Sequence, residues 1–154
     1  MSYQGKTILV TRPAKQAGET IAELEQQGAN VIHIPFIEIA DPSDHYQGLD
    51  ETLKKLYAYH WIVFTSQNAV TRFFARPLAP SGEELQQRVA AVGPQTAKLL
   101  HDLGVADLVV ADETTSDALV RSLQSYDWKG KCVLFPRAKE GRDVLVKGLE
   151  QQGA

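Results

Sequence analysis

Gly5-Lys6-Thr7-Ile8-Leu9-Val10-Thr11-Arg12 is the stretch from which the fold is read, because the chain contains it twice. Gly130-Lys131-Cys132-Val133-Leu134-Phe135-Pro136-Arg137 repeats it 125 positions later. Leu24-Glu25-Gln26-Gln27-Gly28-Ala29 recurs at the same offset as Leu149-Glu150-Gln151-Gln152-Gly153-Ala154. Ten identities at one gapless offset describe two copies of one unit. Thr7 to Thr11 is short, apolar and β-branched, the pattern of a strand buried on both faces. Arg12-Pro13 breaks it. Ala17, Ile21 and Leu24 then share one face of a helix, and Gly28 is its expected C-cap. Val31 to Ile34 is the next strand, stopped by Pro35. The first copy is thus a βαβ unit, right-handed by rule. The second copy stops before its next strand, so the chain is expected to be part of a longer protein.

The rest of the chain alternates in the same way. Phe36 to Ala40 reads as an edge strand or a linker, and Asp41-Pro42-Ser43-Asp44 as a turn cluster and candidate domain boundary. Leu49, Leu53, Leu56 and Tyr57 give a short helix face. Trp61 to Phe64 is a buried strand, followed by a helix from about Gln67 to Ala75. Val89 to Val92 is a strand, and Ala97, Leu100 and Leu103 form the next helix face. Leu108 to Val110 is a strand. Thr114-Thr115-Ser116-Asp117 supplies N-cap chemistry for a helix through Leu123. Lys131 to Phe135 and a final helix complete the pattern. The class is α/β, with doubly wound, mostly parallel sheets.

Composition narrows the function. With 154 residues and a net charge of −3, the chain has no basic stripe for phosphate neutralisation, so nucleic acid is not an expected partner. One cysteine excludes a disulfide framework. No Cys/His spacing resembles a metal site, no apolar run spans a bilayer and no signal peptide opens the chain. A cytoplasmic protein is the default on these grounds, and a monomer without metal or cofactor is the working expectation.

In doubly wound folds ligands sit at the carboxyl ends of the strands. Those ends read Thr11-Arg12-Pro13, Thr65-Ser66-Gln67-Asn68, Gly93-Pro94-Gln95-Thr96, Thr114-Thr115-Ser116 and Pro136-Arg137. Each places hydroxyls, a glycine or an arginine at a helix start, where free N–H groups and the helix dipole favour anions. The candidate contacts are Arg12, Thr65, Ser66, Asn68, Gly93, Thr96, Ser116, Arg137 and Arg142. Taken singly, Ser66 and Ser116 read first as plain helix caps and Gly93 as a turn glycine; convergence on one edge is what makes them candidates. There is no dinucleotide fingerprint, no phosphate loop and no nucleophile elbow. His33, His45, His60 and His101 are scattered, and Cys132 reads as an inert core residue within a strand. What remains is chemistry run by positioning and hydrogen bonds to a charged substrate.

At four of these strand ends the chain resembles the uroporphyrinogen-III synthases. The segments are Ile8-Leu9-Val10-Thr11-Arg12-Pro13, Phe64-Thr65-Ser66-Gln67-Asn68-Ala69-Val70, Ala91-Val92-Gly93-Pro94-Gln95-Thr96-Ala97 and Leu134-Phe135-Pro136-Arg137. The resemblance implies two flavodoxin-like domains joined by a two-stranded ladder, with substrate in the cleft between them. It implies residues 1–36 as the start of a discontinuous first domain, 37–41 as the linker and 42–154 as a second domain lacking its last strand. The implied reaction closes hydroxymethylbilane, a linear polycarboxylate tetrapyrrole, to uroporphyrinogen III. Ring D is inverted and water is lost, without metal or cofactor. The tyrosine proposed as the family's acid has no match here. Tyr57, Tyr59 and Tyr126 lie elsewhere, so no catalytic residue is assigned.

Two alternatives follow from the residues. The chain could form one compact domain, with Thr7–Thr11 paired directly to Ile62–Phe64. The second reading of its function, after the enzyme, is a non-catalytic flavodoxin-like module for an anion or small molecule. A receiver domain is disfavoured, because the first and third strands end in Thr11-Arg12 and Thr65-Ser66 instead of an acidic cluster.

Overall fold

The computed structural model describes residues 2–138 and 143–154. The chain divides into two compact units, Met1–His45 and Tyr46–Ala154.

In the first unit, β1 (Thr7–Val10) and β2 (Asn30–His33) flank helix α1 (Ala14–Gln26). The strands pair in parallel, Thr7 opposite Asn30 and Val10 opposite His33. The helix begins directly after Pro13 and buries Ala17. At its end Gly28 N–H bonds to Glu25 and Ala29 N–H to Leu24, the crossed pair of a Schellman turn, with φ of +87° at Gly28. The second copy closes identically: Gly153 donates to Glu150 and Ala154 to Leu149. The repeated Leu-Glu-Gln-Gln-Gly-Ala therefore encodes one helix stop, used twice.

Burial on both faces does not hold for β1. Val10 is buried, but Leu9 is 51% exposed and Ile32 in β2 45% exposed. A single helix over two strands covers one face only. After β2, Ile34 N–H donates to Val10 and Phe36 N–H to Thr11, and residues 34–41 then run exposed with no strand of their own.

The second unit holds β3 (Trp61–Phe64), β4 (Arg88–Ala91), β5 (Leu108–Val110) and β6 (Val133–Leu134), all parallel, in the order β5-β4-β3-β6. The neighbours of β3 are β4 and β6, so Ile62–Phe64 does not pair with Thr7–Val10.

Chain handedness explains the layering. The steps from β3 to β4 to β5 run one way, so right-handed crossovers put α3 (Gln67–Phe74) and α4 (Pro94–Asp102) on one face. The return to β6 reverses direction and puts α5 (Ser116–Ser122) on the other, joined there by α6 (Val144–Gln152). Two cores result. Ile62, Phe64, Val89 and Ala91 pack with Leu53, Phe73 and Leu100; Trp61, Val63, Ala90 and Val92 pack with Leu119, Trp128, Leu145 and Leu149. Each fully buried Phe or Leu contributes ~1.5–3 kcal/mol. The arrangement is α/β and consistent with the flavodoxin-like class.

A helix α2 (Gln47–Leu53) and a 3-10 turn at Leu56–Ala58 precede β3. Leu53 and Leu56 are buried, whereas Tyr57 is 83% exposed, because the tightened turn rotates it off the apolar face. Asp50 on α2 holds Arg76, just past α3, in a two-point ion pair: Nε to Oδ1 at 2.8 Å and Nη2 to Oδ2 at 2.7 Å. Cys132 is exposed, correcting its reading as a core residue, because β6 begins only at Val133.

Candidate functional site

Strand order decides where the site can be. The chain leaves β3 in both directions, so the crevice at the topological switch lies between the carboxyl ends of β3 and β6. Those ends carry Thr65-Ser66 and Phe135-Pro136-Arg137. Gly93 and Thr114 follow β4 and β5 on the same edge, so the second unit's strand-end segments converge there as the pattern required.

Ser66 is the N-cap of α3. Its Oγ accepts the Ala69 N–H at 3.2 Å, which leaves the hydroxyl proton to donate outward. Thr65 is half-buried and Asn68 exposed. The neighbouring Gln67, absent from the candidates, extends Nε2 to the Gln95 carbonyl at 3.2 Å and ties the β3 and β4 loops together. Gly93 is the N-cap of α4, with φ +81° and ψ 152°, and a Cβ there would sit 2.8 Å from Thr114 Cγ2. A side chain is thus excluded where the β4 and β5 loops touch. Thr96 is buried, at 5% exposure, so its hydroxyl lies beneath the edge.

At the β5 corner the cap is Thr115, whose Oγ1 accepts the Ala118 N–H at 3.1 Å; Ser116 is the first helical residue and not the cap expected of it. Exposed Asp112, Glu113 and Asp117 surround it. The opposite corner holds an ion pair. Arg137 Nη2 donates to Asp143 Oδ1 at 2.8 Å, and the guanidinium lies 5.5 Å over Phe135. No helical or strand spacing joins residues 137 and 143, so this partner carried no sequence signal. Arg142 lies outside the described residues. Arg12 occupies the equivalent place after β1 in the first unit, where Nη1 donates to Thr20 Oγ1 at 3.3 Å and its carbonyl meets His33 Nε2 at 3.0 Å.

The edge therefore carries the Arg137–Asp143 ion pair beside the switch point and exposed carboxylates at β5, where Glu113 meets Arg121. Among the described residues no three His, Cys, Asp or Glu side chains group as metal ligands, and no helix is long and apolar enough to cross a membrane.

The family model described as uroporphyrinogen-III synthase HemD matches residues 18–154. The chain belongs to the uroporphyrinogen-III synthase family. The uroporphyrinogen-III synthase of Synechococcus elongatus is 34% identical over 97% of this chain and 57% of its own length. That of Chlorobaculum parvum is 33% identical over 96% of the chain and 59% of its own length. That of Escherichia coli is 29% identical, over 96% and 61%. The chain thus spans about three-fifths of the length of these synthases. The segments that carry the resemblance to the synthases fall at the ends of β1, β3, β4 and β6, the last three on one sheet edge. Two concavities are found elsewhere on the second unit: one of about 340 Å³ running along β6 and α6, with Phe135 in its lining, and one of about 540 Å³ where the strands begin. Topology is the better guide to a candidate site, because the ligand-facing edge of a parallel sheet is set by strand direction.

Proposed function

We propose that this chain supplies a substrate-binding sheet edge of an enzyme, a cyclising hydro-lyase. Its reaction is the closure of hydroxymethylbilane to uroporphyrinogen III, with inversion of ring D and loss of water. The observation that carries the reading is the family match over residues 18–154. The edge chemistry agrees with it: helix starts, outward hydroxyls and an arginine gather at the switch point, a polar surface suited to a polycarboxylate.

In this reading Thr65, Ser66, Asn68 and the Gly93 backbone bind carboxylates along β3 and β4. Arg137 and Arg142 bind them at β6, Thr96 supports the α4 start from below, and Ser116 meets the substrate's far side. Arg12 serves the first unit. Their role is orientation of the reacting ends, not proton transfer. Residues 1–36 belong to a discontinuous domain, 37–41 to a linker and 42–154 to a second domain. The exposed Leu9, Ile32 and Ile34 support this, because they call for further structure over the two-stranded sheet. The ligand is a small polycarboxylate and not nucleic acid, in keeping with the net charge of −3; the protein is a cytoplasmic monomer.

The test is an isomer assay on the whole protein that carries this chain. Hydroxymethylbilane is generated in situ, the products are oxidised, and uroporphyrin isomers I and III are separated. Type III is the expected product, and Arg137→Ala should raise KM by ~10-fold, the loss of one charge-assisted contact. Type I alone, the uncatalysed product, would favour a non-catalytic binding module.

A further inference from the structure

The cavity of about 540 Å³ lies at the end of the sheet where β3, β4 and β6 begin, opposite the edge discussed so far. Its size falls in the range of small-molecule sites. Trp61, Arg88, Tyr126, Lys131, Tyr59 and His60 line it.

Arg88 lies beside two rings, its guanidinium carbon 5.7 Å from the Trp61 ring centre and 5.4 Å from that of Tyr126. These two rings meet edge-on at 4.9 Å, and Trp61 is itself buried in the sheet's core. Cation–π contact leaves the guanidinium N–H groups available. Asp107 Oδ2 forms a long, exposed ion pair with Nε at 4.0 Å, beyond hydrogen-bond reach. Among the described residues neither Arg88 nor Lys131 donates a side-chain hydrogen bond.

His60 adds a donor. Its Nδ1 accepts the Cys132 N–H at 3.1 Å, so the ring proton resides on Nε2. Asp127 is the one carboxylate in the lining, and its Oδ1 accepts the Lys129 N–H. Arg88 and Lys131 thus supply two cations to the lining, against the carboxylate of Asp127. A guanidinium, a second cation and the rings of Tyr59 and Tyr126, with exposed Tyr57 also in the lining, match an anion on a planar body.

We propose that this cavity is a second binding site, for a small aromatic dicarboxylate whose one carboxylate meets the Arg88 fork and whose ring lies against the tyrosines. It is independent of the proposed function, because it uses none of the residues at the carboxyl edge.

The experiment is a titration of the 15N-labelled chain with terephthalate, followed by NMR. Parallel titrations use succinate, which has the charge without the ring, and inorganic phosphate. Terephthalate should shift Arg88, Tyr126, Lys131 and the Trp61 indole, with succinate and phosphate at least ~3-fold weaker. Arg88→Gln should weaken terephthalate by ~10-fold and Lys131→Gln by ~3-fold, while Arg137→Gln leaves it unchanged. If Arg88→Gln loses its dispersed spectrum, Lys131→Gln carries the test. The proposal is overturned by no shift at ~10 mM ligand, by equal affinity for succinate or phosphate, or by shifts confined to Ser66, Gly93 and Arg137.

Discussion

Replacing Gly93 by alanine tests the edge geometry most directly. Two costs arise at once. With φ at +81° and ψ at 152°, the backbone occupies a region that only glycine enters readily, and forcing an L-residue there costs ~1–3 kcal/mol. The new Cβ would also lie 2.8 Å from Thr114 Cγ2, well inside ordinary contact. Thr114 is exposed and can rotate, so relief of that clash costs ~0.5–1.5 kcal/mol in rotamer strain. Together the substitution should cost ~1.5–4.5 kcal/mol. For a domain of this size that is a fall in Tm of ~3–18 °C. Urea unfolding followed by tryptophan fluorescence is the assay, because Trp61 and Trp128 both lie in the unit that contains Gly93. The double variant Gly93→Ala/Thr114→Ser removes the clashing methyl and should recover only the steric share, ~0.5–1.5 kcal/mol, leaving the backbone cost. A Gly93→Ala protein within ~0.5 kcal/mol of wild type would refute both the positive φ and the contact between the β4 and β5 loops.

Three further outcomes are expected. Thr115→Ala should cost ~1 kcal/mol as a lost cap while Ser116→Ala stays within ~0.5 kcal/mol; the reverse order in urea unfolding would reassign the cap. Trp128→Phe should cost ~2–4 kcal/mol, since Trp128 is 2% exposed and its indole N–H bonds the Leu123 carbonyl at 2.8 Å; a loss under ~1 kcal/mol would contradict that burial. The hydrogen bond from Arg76 holds the Asp50 carboxyl below the usual carboxylate range. Its contribution is therefore present above the unfolded value of ~3.9 and lost as pH falls through the folded one. Asp50→Asn should accordingly be less stable than wild type at neutral pH and converge with it in acid; a gap independent of pH would remove the pair from the acid response.

Most of the elements were legible because their signals are local. The helix period of Ala17, Ile21 and Leu24 and the twice-used Gly-Ala stop depend on residues a few positions apart. So do the apolar runs at Trp61–Phe64 and Val89–Val92. Local signals misled where a residue's surroundings come from distant chain. Leu9 read as a buried strand position, yet it is exposed, because burial depends on what lies over the sheet. Cys132 belongs to an apolar run, but the pairing of β6 with β3 starts one residue later and leaves it exposed. Thr114, Thr115 and Ser116 all offered a capping hydroxyl; the choice fell to Thr115, whose extended backbone directs its side chain to the Ala118 N–H.

The sequence by itself determined that this chain alternates strand and helix, that one unit occurs twice, and that polar groups follow each strand. Composition and 2- or 3.6-residue periods suffice for that, since each element is specified by its own neighbours. Only the tertiary structure decided which strands are adjacent. That choice put β6 beside β3, created the switch point, set Arg137 at one end of the edge and the carboxylates of the β5 loop at the other, and paired Arg137 with Asp143. Strand order is a property of crossovers between segments tens of residues apart, and the electrostatics of the edge follow from it.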